Sequence, residues 1–473
     1  MEEISESEIP KSIGNYNLKT KIGQGSFATV WKAENIYAKK DVAIKIVDNS
    51  SLENEESKNR FIREISIIKQ MDHPFICKLF EIINTPKFTY LVMEYAESGS
   101  ILTFINKIGR LPEPQARRYF SQLLSGIEYL HNEKQVAHRD LKAENVLLDR
   151  NMNIRLIDFG LSNVFSFEKP ELRSSCGSPA YASPEMVRGM PYTKMADIWS
   201  AGVLLYAIVT GQLPFEDDNL STLLQKIAFT EPEYPSFLSP QLVDLLKKIL
   251  TKSSDQRLSI HKIKAHPWFS QTEYAKFLKL RFWTNEKWLA KGIDRDIVDE
   301  ISSFGLNAQK LPNDLICSEY NEVTAIYLIL RREQITNQID EMMQSLKNSG
   351  NNSSPKDNSS NEQNSPEKAE ILSKSNPSTP KNENPQHISF KSRKCDLTPV
   401  LPNRKSVQVK PNKLDFSPPK NDTLRKQRNS TDTFDIPRSK EKISSTRVRS
   451  KIPVLRRRKS SNSSNMDSQV SLD

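Results

Sequence analysis

Residues 16–48 alternate apolar and polar positions around a glycine-rich turn, the period-2 pattern of strands joined by hairpins. The period then lengthens. Over 53–71 (ENEESKNRFIREISIIKQM) Phe61, Ile65 and Ile68 fall at helical spacing, and 115–131 predicts a long amphipathic helix. Residues 197–210 (DIWSAGVLLYAIVT) are apolar nearly all round, so that helix has no face for water and is expected to be buried. This body ends near the HPWF of 266–269, and a smaller unit at 287–335 offers three short helical segments, separated near Phe304-Gly305-Leu306 and Leu311-Pro312. No internal repeat is visible.

Beyond Gly350 the periodicity vanishes, and Ser, Asn, Pro and Lys dominate. Such a segment buries too little apolar surface to offset its ordering entropy, so 350–473 is expected to be disordered, as are residues 1–13. The overall hydrophobic fraction of 37% fits a chain of which part builds no core. Charge divides at the same place. Residues 351–473 hold 25 Lys/Arg against 13 Asp/Glu, whereas the whole chain is only +10, so the basic character belongs to the tail and the body is close to neutral. Cys77, Cys176, Cys317 and Cys395 are scattered with no CxxC spacing, which argues against a disulfide framework or a cysteine metal site. The acidic, polar start MEEISESEIP does not read as a signal peptide, and the longest apolar run, Ala201 to Val209, is too short to span a bilayer. A cytoplasmic location is the expectation.

Candidate chemistry starts at Ile22-Gly23-Gln24-Gly25-Ser26-Phe27-Ala28-Thr29-Val30, which alone is no more than a tight hairpin. A glycine-rich loop also lets backbone N–H groups approach phosphates closely. Twelve residues after Val30 comes Val42-Ala43-Ile44-Lys45, a lysine in an apolar strand that needs an anionic partner; Glu64, on the next helix, is the natural carboxylate. Far more specific is His138-Arg139-Asp140-Leu141-Lys142-Ala143-Glu144-Asn145, followed by Asp158-Phe159-Gly160, Ser183-Pro184-Glu185 and Asp197-Ile198-Trp199-Ser200. In this order and spacing the set resembles the protein-kinase signature.

That resemblance implies an α+β, bilobal kinase fold over residues 14–269, with a β-rich N-lobe (14–93) and a helical C-lobe (94–269). It implies ATP and Mg²⁺ as cofactors and protein substrates as partners. Phosphoryl transfer asks for positioning and charge neutralisation more than covalent chemistry. Asp140 would receive the substrate hydroxyl proton, Lys142 would meet the γ-phosphate, and Asn145 and Asp158 would offer Mg²⁺ the oxygen ligands it prefers. Lys45, held by Glu64, would grip the α/β-phosphates under the loop of Ile22, Gly23, Gly25 and Ala28. Val30, Ala43 and Leu147 would enclose adenine, with Met93 as gatekeeper and the backbone of Glu94 to Ala96 as hinge. Ile68, Leu79, His138 and Phe159 would stack between the lobes. Lys142 points to the Ser/Thr class. A kinase-fold scaffold, or a signalling adaptor tethered by its tail, is the alternative; none of Lys45, Asp140, Asn145 or Asp158 is lost, which disfavours it.

The activation segment, Leu172-Arg173-Ser174-Ser175-Cys176-Gly177-Ser178-Pro179, resembles the AMP-activated-kinase-related branch of the calmodulin-kinase-like group. There an upstream kinase phosphorylates a Thr at the position of Ser174, and the phosphate would pair with Arg139. Residues 287–335 resemble the ubiquitin-associated-like domain of that branch, through Asn321 to Leu330 and the Phe304-Gly305-Leu306 loop. Four positions depart from the pattern. Ala28 replaces the third loop glycine; Ser183 replaces Ala but keeps Glu185 for a buried pair with Arg257; Ser100 and Thr103 stand where relatives that select basic substrates carry acids. Glu144 is retained. In the tail, Arg456-Arg457-Arg458-Lys459 precedes Ser460-Ser461, and Ser/Thr-Pro pairs lie at Ser354, Ser365, Thr379, Thr398 and Ser417. The tail reads as a solvated basic linker, or as an electrostatic contact for an acidic membrane or cytoskeletal protein. Nucleic acid is disfavoured, because no aromatic residues are interleaved to stack bases.

Overall fold

The computed structural model describes residues 9–25, 28–52, 54–165, 172, 177–284 and 292–351, with the backbone alone for Trp283 and 347–351. All belong to one compact unit. Ser174 and the tail beyond 351 lie outside the described residues.

The alternating stretch forms strands β1 (Ser12–Ile13), β2 (Tyr16–Gln24), β3 (Ala28–Asn35) and β4 (Asp41–Asp48). Helix α1 (Glu55–Ile68) follows, then β5 (Leu79–Asn84) and β6 (Phe88–Glu94), giving an antiparallel sheet of order β1-β2-β3-β4-β6-β5. Asn54 caps α1 by accepting the Glu56 N–H, and Glu55 and Glu56 place negative charge at its positive end.

The C-lobe contains α2 (Ile101–Ile108), α3 (Glu113–Asn132), β7 (Val136–Ala137), β8 (Val146–Leu148), β9 (Ile154–Leu156), β10 (Asn163–Val164), α4 (Pro184–Val187) and α5 (Met195–Thr210). It continues through α6 (Leu220–Phe229), α7 (Pro240–Ile249), α8 (Ile260–Ala265), α9 (Pro267–Ser270) and α10 (Tyr274–Phe277). As its all-round apolar surface predicts, α5 is the buried axis of this lobe, with Trp199 fully enclosed. It stops at Gly211, whose φ of +76° only glycine adopts freely, and where a Cβ would stand 2.5 Å from the Gly109 carbonyl oxygen. Among the described residues no helix is long and apolar enough to cross a membrane.

Three helices end the described residues: α11 (Arg295–Ser303), α12 (Leu311–Cys317) and α13 (Glu322–Asn351). Three boundaries differ from the sequence expectation. The ordered body begins before residue 14, because Ser12–Ile13 pairs with β2 and Ile13 is buried. The packed C-lobe runs past 269, since Phe277 and Phe282 pack around Phe75. The last helix does not end near 335 or at the expected onset of disorder at 350. It continues to Asn351, and Ile335, Ile339 and Met343 are buried at helical spacing.

Candidate active site

The cleft face of the sheet follows from strand register. Val30 lies opposite Lys45, and Ala43 opposite Met93. Directly opposed residues share a face, as do positions two apart on one strand, so Val30, Ala43, Lys45 and Met93 all project to one side. The other side of β4 carries Val42, Ile44 and Ile46, each fully buried in the core. From α1, Glu64 reaches Lys45, with Oε1 2.5 Å from Nζ. The glycine-rich hairpin closes through Gly25 N–H to the Ala28 carbonyl at 2.8 Å. A Cβ on Gly23 or Gly25 would meet its nearest neighbour only at 3.5 or 3.6 Å, an ordinary contact. The chain itself does not demand glycine at these two places; a group approaching from outside would. Ile22, at the rim, is half exposed.

Below the sheet, the catalytic loop spans β7 and β8. Arg139 takes φ +69° and Asp158 φ +66°, conformations that non-glycine residues hold only when surroundings enforce them. For Arg139, Asp197 at the start of α5 does the enforcing. Its Oδ2 accepts from His138 N–H at 2.9 Å and lies 2.7 Å from His131 Nε2, while its Oδ1 accepts from Arg139 N–H at 2.9 Å. Burial pushes this carboxyl up, but the His131 bond, with its neighbours, outweighs burial and holds it below the ordinary range.

The loop so shaped delivers Asp140, which is buried. Its Oδ2 accepts from Lys142 Nζ at 2.6 Å and from Asn145 Nδ2 at 3.1 Å, and its Oδ1 from the Ser178 N–H at 3.0 Å. Asn145 Nδ2 also donates to the Asp140 carbonyl at 2.8 Å, which leaves the amide oxygen as its remaining acceptor. Asp158 lies exposed, with Oδ1 accepting from Gly160 N–H at 3.2 Å. Two protein oxygens suit Mg²⁺, which takes most of its ligands from phosphates and water. Among the described residues no group of three or more His, Cys, Asp or Glu could hold a metal ion.

The interlobe stack is present as buried packing: Ile68, Leu79, His138 and Phe159 are each enclosed, and the His138 and Phe159 rings lie 5.2 Å apart. Leu147 is half-buried on β8, bridged to Ser100. Ala96 is buried at the hinge. The Ser183 substitution leaves the neighbouring pair intact, and Glu185 binds Arg257 bidentately at 2.8 and 2.9 Å. Ser100 and Thr103, in place of acids, perform a local task. Ser100 caps α2 by accepting from Thr103 N–H at 3.1 Å.

The Protein kinase domain family model matches residues 16–269. The chain belongs to the protein kinase family. It is similar to the SNF1-related protein kinase catalytic subunit alpha KIN12 of Arabidopsis thaliana, 39% identical over 317 residues. That match covers 67% of this chain and 63% of the relative. It is also similar to the serine/threonine protein kinase OSK3 of Oryza sativa subsp. indica, 40% identical over 321 residues, 68% of this chain and 62% of the relative. The chain thus spans a little over three-fifths of the length of these relatives.

In this kinase some functional geometry was not predictable from motifs. The Glu94 side chain turns away from the cleft and lies behind the hinge, where Arg155 Nε reaches Oε1 at 2.5 Å and Arg332 Nε reaches Oε2 at 2.9 Å. Arg155 also pairs with Asp149 at 2.9 Å. Burial pushes the Glu94 carboxyl up, but Arg155 and Arg332 together hold it below its usual value. The signal in the sequence was a charged pair, Arg331-Arg332, at the end of an otherwise apolar helical run.

Proposed function

We propose that this protein transfers the γ-phosphoryl group of Mg·ATP to serine or threonine hydroxyls of protein substrates. The observation that carries the reading is convergence. The Lys45–Glu64 pair on the upper lobe and the Asp140–Lys142–Asn145 cluster on the lower one are both assembled, and Glu64 lies against the Asp158–Gly160 turn. When bound, Mg·ATP supplies the transferable group and neutralises its charge. Lys45 binds the phosphates and Glu64 fixes the lysine. Asn145 and Asp158 offer oxygens to the metal. Asp140 orients the substrate hydroxyl and takes its proton, and Lys142, anchored on Asp140, faces the charge that develops on the transferred group.

Activation by an upstream kinase acting on Ser174 belongs to the same proposal. Arg60 and Arg63 of α1 and Arg139 of the catalytic loop line one cavity of about 590 Å³ beside Gly177. Three guanidinium groups suit a phosphate, which they bind through charge-assisted, often bidentate bonds. The ubiquitin-associated-like reading of 287–335, of which 292–335 are described, rests on the sequence resemblance and on three consecutive helices that begin there.

Asp140→Ala should lower kcat by at least about 10³-fold and leave nucleotide affinity within about threefold, because Asp140 acts on the acceptor hydroxyl. Equal turnover by variant and wild type, both phosphorylated on Ser174, would refute the assignment. Activity of Ser174→Ala equal to that of the enzyme treated with an upstream kinase would refute the switch.

A further inference from the structure

Behind the hinge, a cavity of about 210 Å³ opens between the β3–β4 turn, the β8–β9 turn and α13. The charges of its deep wall satisfy one another. Arg155 pairs with Glu94 and Asp149, and Arg332 pairs with Glu94. Arg155, Asp149 and Arg332 are buried, so this wall is closed and fixed. The mouth is different. Asp41 is taken up by Lys19 and Lys32, at 2.8 Å from each. That leaves three cations, Lys39, Lys40 and Arg150, facing two carboxylates, Glu97 and Glu333. Glu97 accepts from the Arg150 backbone N–H at 3.0 Å. Glu333 alone serves both Lys40, at 3.2 Å, and the Arg150 guanidinium. Lys39 has no ion-pair partner among the described residues.

The backbone of Lys39 sharpens this excess of positive charge. Its φ is +50°, a conformation that glycine takes at lower cost. The turn holds it there. Lys39 N–H donates to the Asn35 carbonyl at 3.0 Å, and Asn35 Oδ1 accepts from the Tyr37 and Ala38 N–H groups at 3.0 and 2.9 Å. These bonds require a backbone shape and no lysine. A cation kept at a strained position on the rim of a cavity points to an anion that it meets there. Two lysines and one arginine suit a phosphate, the arginine through a bidentate pair and the lysines as point charges. The volume, roughly seven waters at ~30 Å³ each, admits a phosphate with a short organic group. Phe80 and Ile329, both buried, give that group an apolar surface.

We propose that this cavity binds a small phosphate monoester, whose phosphate replaces the Glu333 carboxylate between Lys40 and Arg150 and recruits Lys39. A phosphate carries nearly two charges where the carboxylate carries one, so the exchange matches the three cations better. Lys40 belongs to the upper lobe, Arg150 to the lower one and Glu333 to α13. The bound ester would therefore join the two lobes directly and free α13 of the ties that Glu333 makes. No residue of the catalytic cluster takes part, so the inference stands apart from the kinase reading.

The test uses the full-length chain without nucleotide or Mg²⁺, at constant ionic strength, with isotope-labelled isoleucine methyl groups followed by NMR. The probes are glycerol 3-phosphate, inorganic phosphate and glycerol. Ile329 is buried and lines this cavity, so its signal reports this site and not the pocket beside Gly177. The expected result is a saturable shift with glycerol 3-phosphate at a Kd of about 1 mM or below. Arg150→Gln should weaken binding at least about tenfold. Lys39→Gly, at a position whose backbone glycine favours, should fold as the parent does and weaken binding at least about threefold. Glu333→Gln removes the competing carboxylate and should tighten binding about tenfold. No shift up to roughly 10 mM ester, or an unchanged Kd in both Arg150→Gln and Lys39→Gly, overturns the site. Unchanged or weaker binding by Glu333→Gln overturns the exchange. An equal shift with glycerol alone overturns the assignment to phosphate, and equal affinity for inorganic phosphate overturns the ester in favour of the free anion.

Discussion

The contact between α13 and the back of the hinge invites a quantitative test at Arg332. Its guanidinium is almost wholly buried and makes five short contacts. Nε and Nη2 each lie 2.9 Å from Glu94 Oε2, Nη1 donates to the His73 carbonyl at 3.1 Å, and Nη2 donates to those of Pro74 and Ile76 at 2.8 and 2.7 Å. Arg332→Met keeps an unbranched stem of similar reach and removes every donor. Glu94 would remain buried with Arg155 as its ion-pair partner, and three carbonyls of one loop would lose a bond together. Removing one member of a buried pair costs roughly 3–5 kcal/mol, because the remaining charge stays desolvated. At about 2 °C per kcal/mol for a body this large, Tm should fall by about 6–10 °C. The Glu94→Gln change made in the same chain should recover part of that loss, since the orphaned charge is gone. Calorimetry of the four chains of the double-mutant cycle measures this as a coupling energy. A fall of less than about 2 °C for Arg332→Met, or strictly additive losses, would show that α13 rests on the hinge without being bonded into it. Hydrogen exchange across 322–343 supplies an independent check, because helix opening should rise in the variant whether or not unfolding is reversible.

Two other consequences follow from single positions. Gly177 has φ +91°, and a Cβ there would stand 2.6 Å from the Arg139 carbonyl oxygen and 3.4 Å from Asp140 Oδ1. Gly177→Ala should therefore displace the catalytic aspartate and lower kcat by roughly 10²-fold; Gly189→Ala, also at positive φ but facing open space, is the control, and equal kcat values would refute the reasoning. His73 is held well below the usual histidine range, first by complete burial and then by Arg332 and Arg155. With a depressed folded pKa, its contribution to stability is full above about pH 6.5 and is lost as the pH falls, by up to about 1.4 kcal/mol per unit, because only the unfolded chain takes up the proton. Tm should drop between pH 6.5 and 5.5, and less steeply in His73→Gln; parallel slopes would remove His73 as the cause.

How much of this could be read in the sequence depended on the range of the signal. Strands β2 to β4 and helix α5 were legible because alternation and all-round apolarity are local properties of 8 to 16 residues. The residues proposed as catalytic stand out in the sequence because one loop carries most of them. Strand β1, at two residues, is too short to show a period, although Ile13 is buried. The far end of α13 was hidden by composition. Its stripe of Ile335, Ile339 and Met343 lies among Asn, Gln and Ser, and a helix laid along the outside of a folded body needs only a narrow apolar stripe. The partner of Arg332 could not be read, since Glu94 lies 238 residues away; the sequence marks only the Arg331-Arg332 charges at the end of an apolar helical run. The sequence also suggested acids missing at 100 and 103 as a loss; the structure shows what Ser100 does instead, which is to start α2.

The C-terminal half of α1 brings these observations together. On its inner side, Glu64 binds Lys45 and crowds the Asp158-Phe159-Gly160 turn so closely that a Cβ on Gly160 would lie 3.4 Å from Glu64 Oε2 and 3.2 Å from Asp158 Oδ1. Phe159 packs on His138, whose Nε2 is 3.0 Å from the Ile157 carbonyl, so Glu64 and Asp158 share one packed arrangement. On the outer side, the loop that leaves α1 is held by the C-terminal helices. The Tyr320 hydroxyl donates to the Lys69 carbonyl at 2.6 Å, and Arg332 holds the carbonyls of His73, Pro74 and Ile76. A helix of fourteen residues fixed at its exit from behind and at Glu64 from the front has little freedom to rotate the carboxylate out of the cleft. Docking of α13 and an assembled Lys45–Glu64 pair are therefore compatible in this protein. The physical reason is that α13 grips backbone carbonyls beyond the end of α1 and does not compete for any side chain the active site uses.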